Sequence, residues 1–109
     1  MAISTTPDGR YIVHIGSAGP RLWRATNPDL PEARRVELVQ QLGAARRAVH
    51  AAKSDPAVLA GARAAVDAAK RELGERGSPW WTDGAPDFNR RLVRNSPYAS
   101  WWDRMSLEL

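Results

Sequence analysis

The sequence predicts an α+β fold with an N-terminal β-hairpin, a long antiparallel α-helical hairpin, and a Trp-rich C-terminal segment carrying one or two short helices. Three observations carry this reading. Apolar residues alternate at period two over residues 11–15, two apolar seams of helical period run through residues 31–76, and four of the five tryptophans fall after residue 77. A chain of 109 residues is the length of one domain.

Residues 1–9 read as a flexible N-terminus ending in the turn dipeptide Asp8-Gly9. The β-hairpin is expected over 10–27. "RYIVHI" places Tyr11, Val13 and Ile15 on one face and Ile12 and His14 on the other. "GSAGP" (16–20) reads as a loop, and "RLWRAT" (21–26) as the second strand, with Trp23 between Arg21 and Arg24. A hairpin alone is marginal in water, so it needs something to pack on. Pro28 then blocks further pairing, and Pro31 with Glu32 suits a first helical turn.

The helical hairpin is expected over 31–53 and 56–76. In the first helix Leu38, Leu42, Ala45, Val49 and Ala52 make one stripe, and in the second Leu59, Ala62, Val66, Ala69 and Leu73 make another. Both stripes have coiled-coil spacing, and the short break Ser54-Asp55-Pro56 brings them back to back. The alanines permit close approach. Gly77 is the expected left-handed stop of the second helix.

The Trp-rich cap spans 78–109. Asp83-Gly84 is a turn signal, a short helix is expected from Pro86 to Arg94, and Ser96-Pro97 starts a last helix that runs to Met105. Each tryptophan buries roughly 150–250 Å², so these rings are expected to cover the β-hairpin and the open end of the alanine-rich helices.

Composition removes several classes of function. The absence of cysteine excludes disulfides, thiolate zinc sites and cysteine nucleophiles. No run approaches the ~18 apolar residues of a membrane span, and the N-terminus lacks a secretory pattern. A cytoplasmic protein without membrane attachment is the expectation. Glycine spacing matches no phosphate loop or dinucleotide fingerprint. His14 and His50 have no nucleophile and orienting carboxylate close by in sequence, so no catalytic residue and no cofactor are expected.

Three residue groups remain. The first is aromatic: Trp80, Trp81, Trp101, Trp102 and Tyr98 are candidate interface residues, because Trp dominates interface hot spots. The second member of each Trp pair is the stronger candidate. The second group is basic. The net charge of +4 is concentrated in the middle, where residues 31–77 hold nine Lys/Arg against six Asp/Glu. Arg34, Arg35, Arg46, Arg47, Lys53, Arg63, Lys70 and Arg71 could track a phosphate backbone without reading sequence. The aromatic rings lie elsewhere, in the neutral C-terminal third, which weakens a stacking groove for single strands. The third is Asp83, Asp87 and Asn89, whose spacing suggests oxygen ligands for a hard cation but lacks the remaining positions of a calcium loop. It reads better as a turn and a helix start, with Asp87 pairing to Arg90 or Arg91, so no metal is expected.

"LWRATNP", "LGERG" and "WWTDGAPDFNR", in this order, resemble a small uncharacterised bacterial protein family, some of whose members are automatically labelled biopolymer transporter Tol. The resemblance runs from about Tyr11 to Trp102 and implies no activity, ligand or catalytic residue. The transporter label has no support in this sequence, which shows no membrane segment and no propeller repeat. The expected function is a non-enzymatic interaction protein, associating with a protein partner or with itself through the Trp-rich end. The alternative is sequence-independent nucleic-acid binding by the basic helical hairpin.

Overall fold

The computed structural model describes residues 4–107. The first three residues of the expected flexible N-terminus and the last two of the C-terminal cap lie outside the described residues. The fold is α+β and divides into two compact units, one built from the chain up to Ala25 and from Trp81 onward, the other from Thr26–Trp80.

The first unit contains an antiparallel sheet in the order β1 (Ser4–Thr5), β2 (Tyr11–Gly16), β3 (Gly19–Arg24). From Ser4 onward, the segment expected to be a flexible N-terminus is a short strand and a tight turn. Gly9 N–H donates to the Thr6 carbonyl at 2.9 Å, and Gly9 has φ +75°, which its missing Cβ permits. Thr6 is buried, and its Oγ donates to Asp8 Oδ1 at 2.7 Å while accepting from Tyr11 N–H at 3.1 Å. The β2–β3 connection is tighter than the expected 16–20 loop. Gly16 pairs with Gly19, leaving Ser17 and Ala18 as the turn.

Register decides what the sheet buries. Tyr11 pairs with Arg24 and Val13 with Leu22, and all four are buried on one face. Ile12 and Trp23 pair on the other face, where Trp23 stays 39% exposed. The alternation thus puts an arginine inside and a tryptophan outside.

The helix expected over Pro86–Arg94 does not form. Residues 90–92 instead lie antiparallel along β3. Arg90 N–H donates to the Leu22 carbonyl at 2.7 Å, Leu22 N–H to the Arg91 carbonyl at 2.8 Å, and Leu92 bridges Arg21. These bonds cover the edge of β3 that would otherwise be bare. A turn closed by Arg91 N–H on the Phe88 carbonyl (3.0 Å) leads in, with Arg90 at φ +73°, a left-handed conformation that costs a side-chain-bearing residue roughly 1–2 kcal/mol. Edge pairing won over local helical tendency because the free backbone groups of β3 were there to be satisfied. A single 3-10 turn (Val93–Asn95) and helix α3 (Ala99–Leu107) follow. The last helix, expected from Pro97 to Met105, spans Ala99–Leu107.

The core of this unit is Tyr11, Val13, Leu22 and Val93, with Trp81, Phe88, Tyr98, Trp101 and Trp102 packed around it. Full burial of a Val or Leu side chain contributes roughly 1.5–3 kcal/mol.

The second unit is the helical hairpin, α1 (Glu32–Ala51) and α2 (Pro56–Glu72). Asp55 caps α2, its carboxylate accepting from the N–H groups of Ala57 and Val58, with Pro56 at the first helical position. The seam residues face inward as their spacing requires. Leu38, Leu42, Ala69 and Leu73 form the buried cluster, with Leu30 and Val66 against it. Helix α2 ends earlier than the expected Arg76. Leu73 is its C-cap, and Gly74 (φ +85°), not Gly77, supplies the left-handed residue that follows. Asn27 N–H donates to the Leu73 carbonyl at 2.8 Å, and a Cβ at Gly74 would lie 3.0 Å from both Asn27 and the Trp80 ring. Close packing at that corner, which local sequence does not show, selects the earlier glycine. Among the described residues, no helix is long and apolar enough to cross a membrane.

Candidate interaction surfaces

The adjacent rings Trp80 and Trp81 belong to different units. Trp80 sits over Gly74 at the end of α2, half-buried. Trp81 packs edge-on to Tyr11 with ring centroids 5.7 Å apart, and its indole N–H donates to the Ala85 carbonyl at 2.9 Å. The guanidinium groups of Arg10 and Arg24 lie over its ring at 5.0 and 5.9 Å.

Tyr98 is edge-on to both Tyr11 and Phe88, at 5.5 and 6.4 Å. Its hydroxyl donates to Asp8 Oδ2 at 2.6 Å. Burial, reinforced by the neighbouring Asp8 carboxylate, pushes its pKa well above the ordinary phenol value. Trp101 and Trp102 contact each other at 6.0 Å on α3, and both are half-buried. All five aromatic candidates are therefore half-buried.

A concave feature lies beside Trp102. A pocket of about 310 Å³ is lined by Pro20, Val93, Ala99 and Trp102, with Arg94 and Asp103 also contributing. Its walls come from β3, the 3-10 turn and α3, so it exists only once the C-terminal segment has folded onto the sheet. Of these six residues, only Trp102 is a candidate by sequence. Trp23 is a further exposed ring, set outward by its place next to the buried Leu22.

The acidic turn is occupied by cations of the same unit. Asp83 is ion-paired to Arg10 and accepts from Ala85 N–H at 3.0 Å. Asp87 does not cap a helix or pair with Arg90 or Arg91. It pairs with Arg24 at 2.5 Å and accepts from Asn89 N–H at 3.0 Å. The Tyr11 hydroxyl accepts from Phe88 N–H at 2.7 Å and donates toward Asp87 at 3.4 Å. Asn89 Oδ1 accepts from Arg24 N–H at 2.8 Å. Asp87 and Asn89 thus fasten the C-terminal segment to β3, and Arg24, with its side chain 2% exposed, is drawn inward to meet a carboxylate.

The basic residues of the helical hairpin fall into two sets. Arg34 is paired to Glu37 and Glu72, Arg35 to Glu32, and Arg71 to Asp67. Arg46, Arg47, Lys53, Arg63 and Lys70 take part in no ion pair among the described residues. Arg46 and Arg63 line a groove of about 380 Å³ together with Val49, Val66 and Arg76. Arg76, outside the sequence candidates, also contacts Asp67 at 3.2 Å. Lys70 is half-buried, and its pKa is lowered by burial and then by the Arg76 and Arg46 charges, against an opposing pull from Glu75.

His14 and His50 are both exposed and belong to different units. No protein-family model, curated protein or solved structure matches the chain.

Proposed function

We propose that this protein is a non-enzymatic interaction module that associates with another protein surface, in the first instance a second copy of itself, through its Trp-rich C-terminal end. The observation that carries the reading is the pocket formed by Pro20, Val93, Ala99 and Trp102 with Arg94 and Asp103. Its size is that of a small-molecule or side-chain site, and an apolar wall edged by polar groups is the anatomy of an interface centre. The lining carries one cation and one anion. Two copies related by a two-fold axis can therefore set Arg94 of each against Asp103 of the other, as a self-complementary interface requires.

Sedimentation velocity over a concentration series, combined with photo-crosslinking from the exposed Ser100 on α3 in the native cell, tests this. Wild-type chain is expected to form a dimer or one defined crosslinked complex. Trp102→Ala should weaken it at least about tenfold, the loss of a modest hot spot, while Trp102→Phe retains most of it. A chain that stays monomeric at every concentration and yields no crosslinked protein would sink the reading, as would a product that nuclease treatment removes.

A further inference from the structure

We propose that the groove between α1 and α2 is a binding site for a small organic phosphate, a phosphoryl group on a compact apolar or aromatic body. The site lies within the helical hairpin and does not depend on the association proposed for the C-terminal end.

The groove combines two chemistries. Arg46 and Arg63 each precede a half-buried valine by one helical turn, Val49 on α1 and Val66 on α2, so the two helices present the same cation-and-valine pair. Arg76 closes the lining, and Lys70 lies near enough to feel both Arg46 and Arg76. Three arginines therefore line one concavity, with Lys70 within range of two of them. The nearby acids are already engaged. Asp67 is held by Arg71 at 2.7 Å and Arg76 at 3.2 Å, and Glu75 accepts from Thr26 Oγ at 2.8 Å. Arg46 and Arg63 have no acidic partner among the described residues, whereas Arg34, Arg35 and Arg71 on the same hairpin do.

This points to an anion with more than one oxygen and more than one charge. A phosphoryl group offers three acceptor oxygens and nearly two negative charges, which suits several guanidinium forks better than a single carboxylate does. The valines suit a ring or short aliphatic body on the same molecule. A nucleic-acid strand fits less well. Arg34, Arg35 and Arg71 are neutralised by their own carboxylates, which interrupts a continuous phosphate track, and no aromatic ring lines the groove for bases to stack on.

The test is a titration of the full chain with phenyl phosphate, inorganic phosphate and a single-stranded oligonucleotide. It is read by the methyl resonances of Val49 and Val66 and by calorimetry at low salt. Phenyl phosphate is expected to shift both valines and to bind with Kd below about 1 mM, at least about tenfold tighter than inorganic phosphate. The double variant Arg46→Gln, Arg63→Gln should lose at least about tenfold in affinity. Both positions are exposed and Gln is a good helix former, so the fold is retained, as far-UV ellipticity will show. Val66→Thr, which keeps the shape but adds a hydroxyl, should bring phenyl phosphate down to the affinity of inorganic phosphate. Unmoved valine methyls, or unchanged affinity in the double variant, would overturn the proposal. So would oligonucleotide binding without phenyl phosphate binding, which would favour the nucleic-acid alternative instead.

Discussion

Tyr98 and Asp8 show how one residue pair couples pH to the fold. Burial by itself would raise the Asp8 pKa. Hydrogen bonds from Tyr98, Thr6 and the Arg10 N–H, with the Arg10 charge, outweigh it and hold the carboxyl below its ordinary value of 3.8. A lowered folded-state pKa contributes stability above 3.8, which is lost as pH falls through the folded value. The phenols behave in the opposite sense. Burial is the main cause that raises Tyr11 and Tyr98 above the ordinary 10.0, so their contribution is complete below that pH and is lost as pH rises through the folded values. Tyr98→Phe removes the donor to Asp8. It should cost about 1 kcal/mol at neutral pH, the usual worth of a partly exposed hydrogen bond. It should also flatten the stability profile at both the acid and the alkaline end. Denaturant midpoints measured from pH 2 to 11 check this; a profile parallel to that of wild type would show that the bond does not couple to folding.

At the scale of an element, the glycines of α2 and its terminus separate propensity from packing. Gly61 is mid-helix, and a Cβ there meets nothing within 4 Å. Gly61→Ala should stabilise the hairpin by about 1 kcal/mol, the difference in helix propensity. Gly74 has the same side chain and the opposite constraint. Its φ of +85° and the 3.0 Å approach of Asn27 and Trp80 leave no room for a methyl group. Gly74→Ala should therefore destabilise by more than Gly61→Ala stabilises. Thermal melts followed by ellipticity at 222 nm will give the two signs. A stabilising Gly74→Ala would mean that the corner is not packed as described.

At the scale of the whole molecule, the two units carry different spectroscopic labels. Trp23, Trp81, Trp101 and Trp102 lie in the sheet unit and only Trp80 in the hairpin unit. Most helical ellipticity comes from α1 and α2, with 20 and 17 residues against 9 in α3. The two hydrophobic clusters share no residue. Tryptophan fluorescence and ellipticity should therefore report two transitions, a departure from two-state behaviour. Tyr98→Phe should move chiefly the first and Gly61→Ala chiefly the second. A single transition shifted equally in both probes would show that the units unfold as one.

Local order was legible along the chain. Residues 31–76 disclosed both helices, because a seam repeating every three or four residues reports its own geometry, and Asp55-Pro56 announced the start of α2 through cap chemistry. Period-two alternation disclosed β2, and the Gly/Pro loop after it placed a second strand beyond, over residues 21–26, close to β3. The strand at Ser4–Thr5 was too short to leave a period. The segment 86–94 misled because proline followed by polar residues resembles a helix start, whereas its partners lie far away. Arg24 meets Asp87 across 63 residues, and the Tyr11 hydroxyl receives the Phe88 N–H across 77. Of the candidate residues, the sequence offered Trp102 by type and Arg46 and Arg63 by charge. It did not show which arginines would be neutralised by a carboxylate one turn away and which would be left facing a groove. Sequence alone determined the two long helices and the strands β2 and β3, because those states follow from neighbours a few residues apart. The tertiary structure alone decided that the C-terminal aromatics close over the sheet, that Arg24 points in while Trp23 points out, and which side chains line each pocket. Those outcomes depend on burial and hydrogen-bond partners that exist only once distant segments meet.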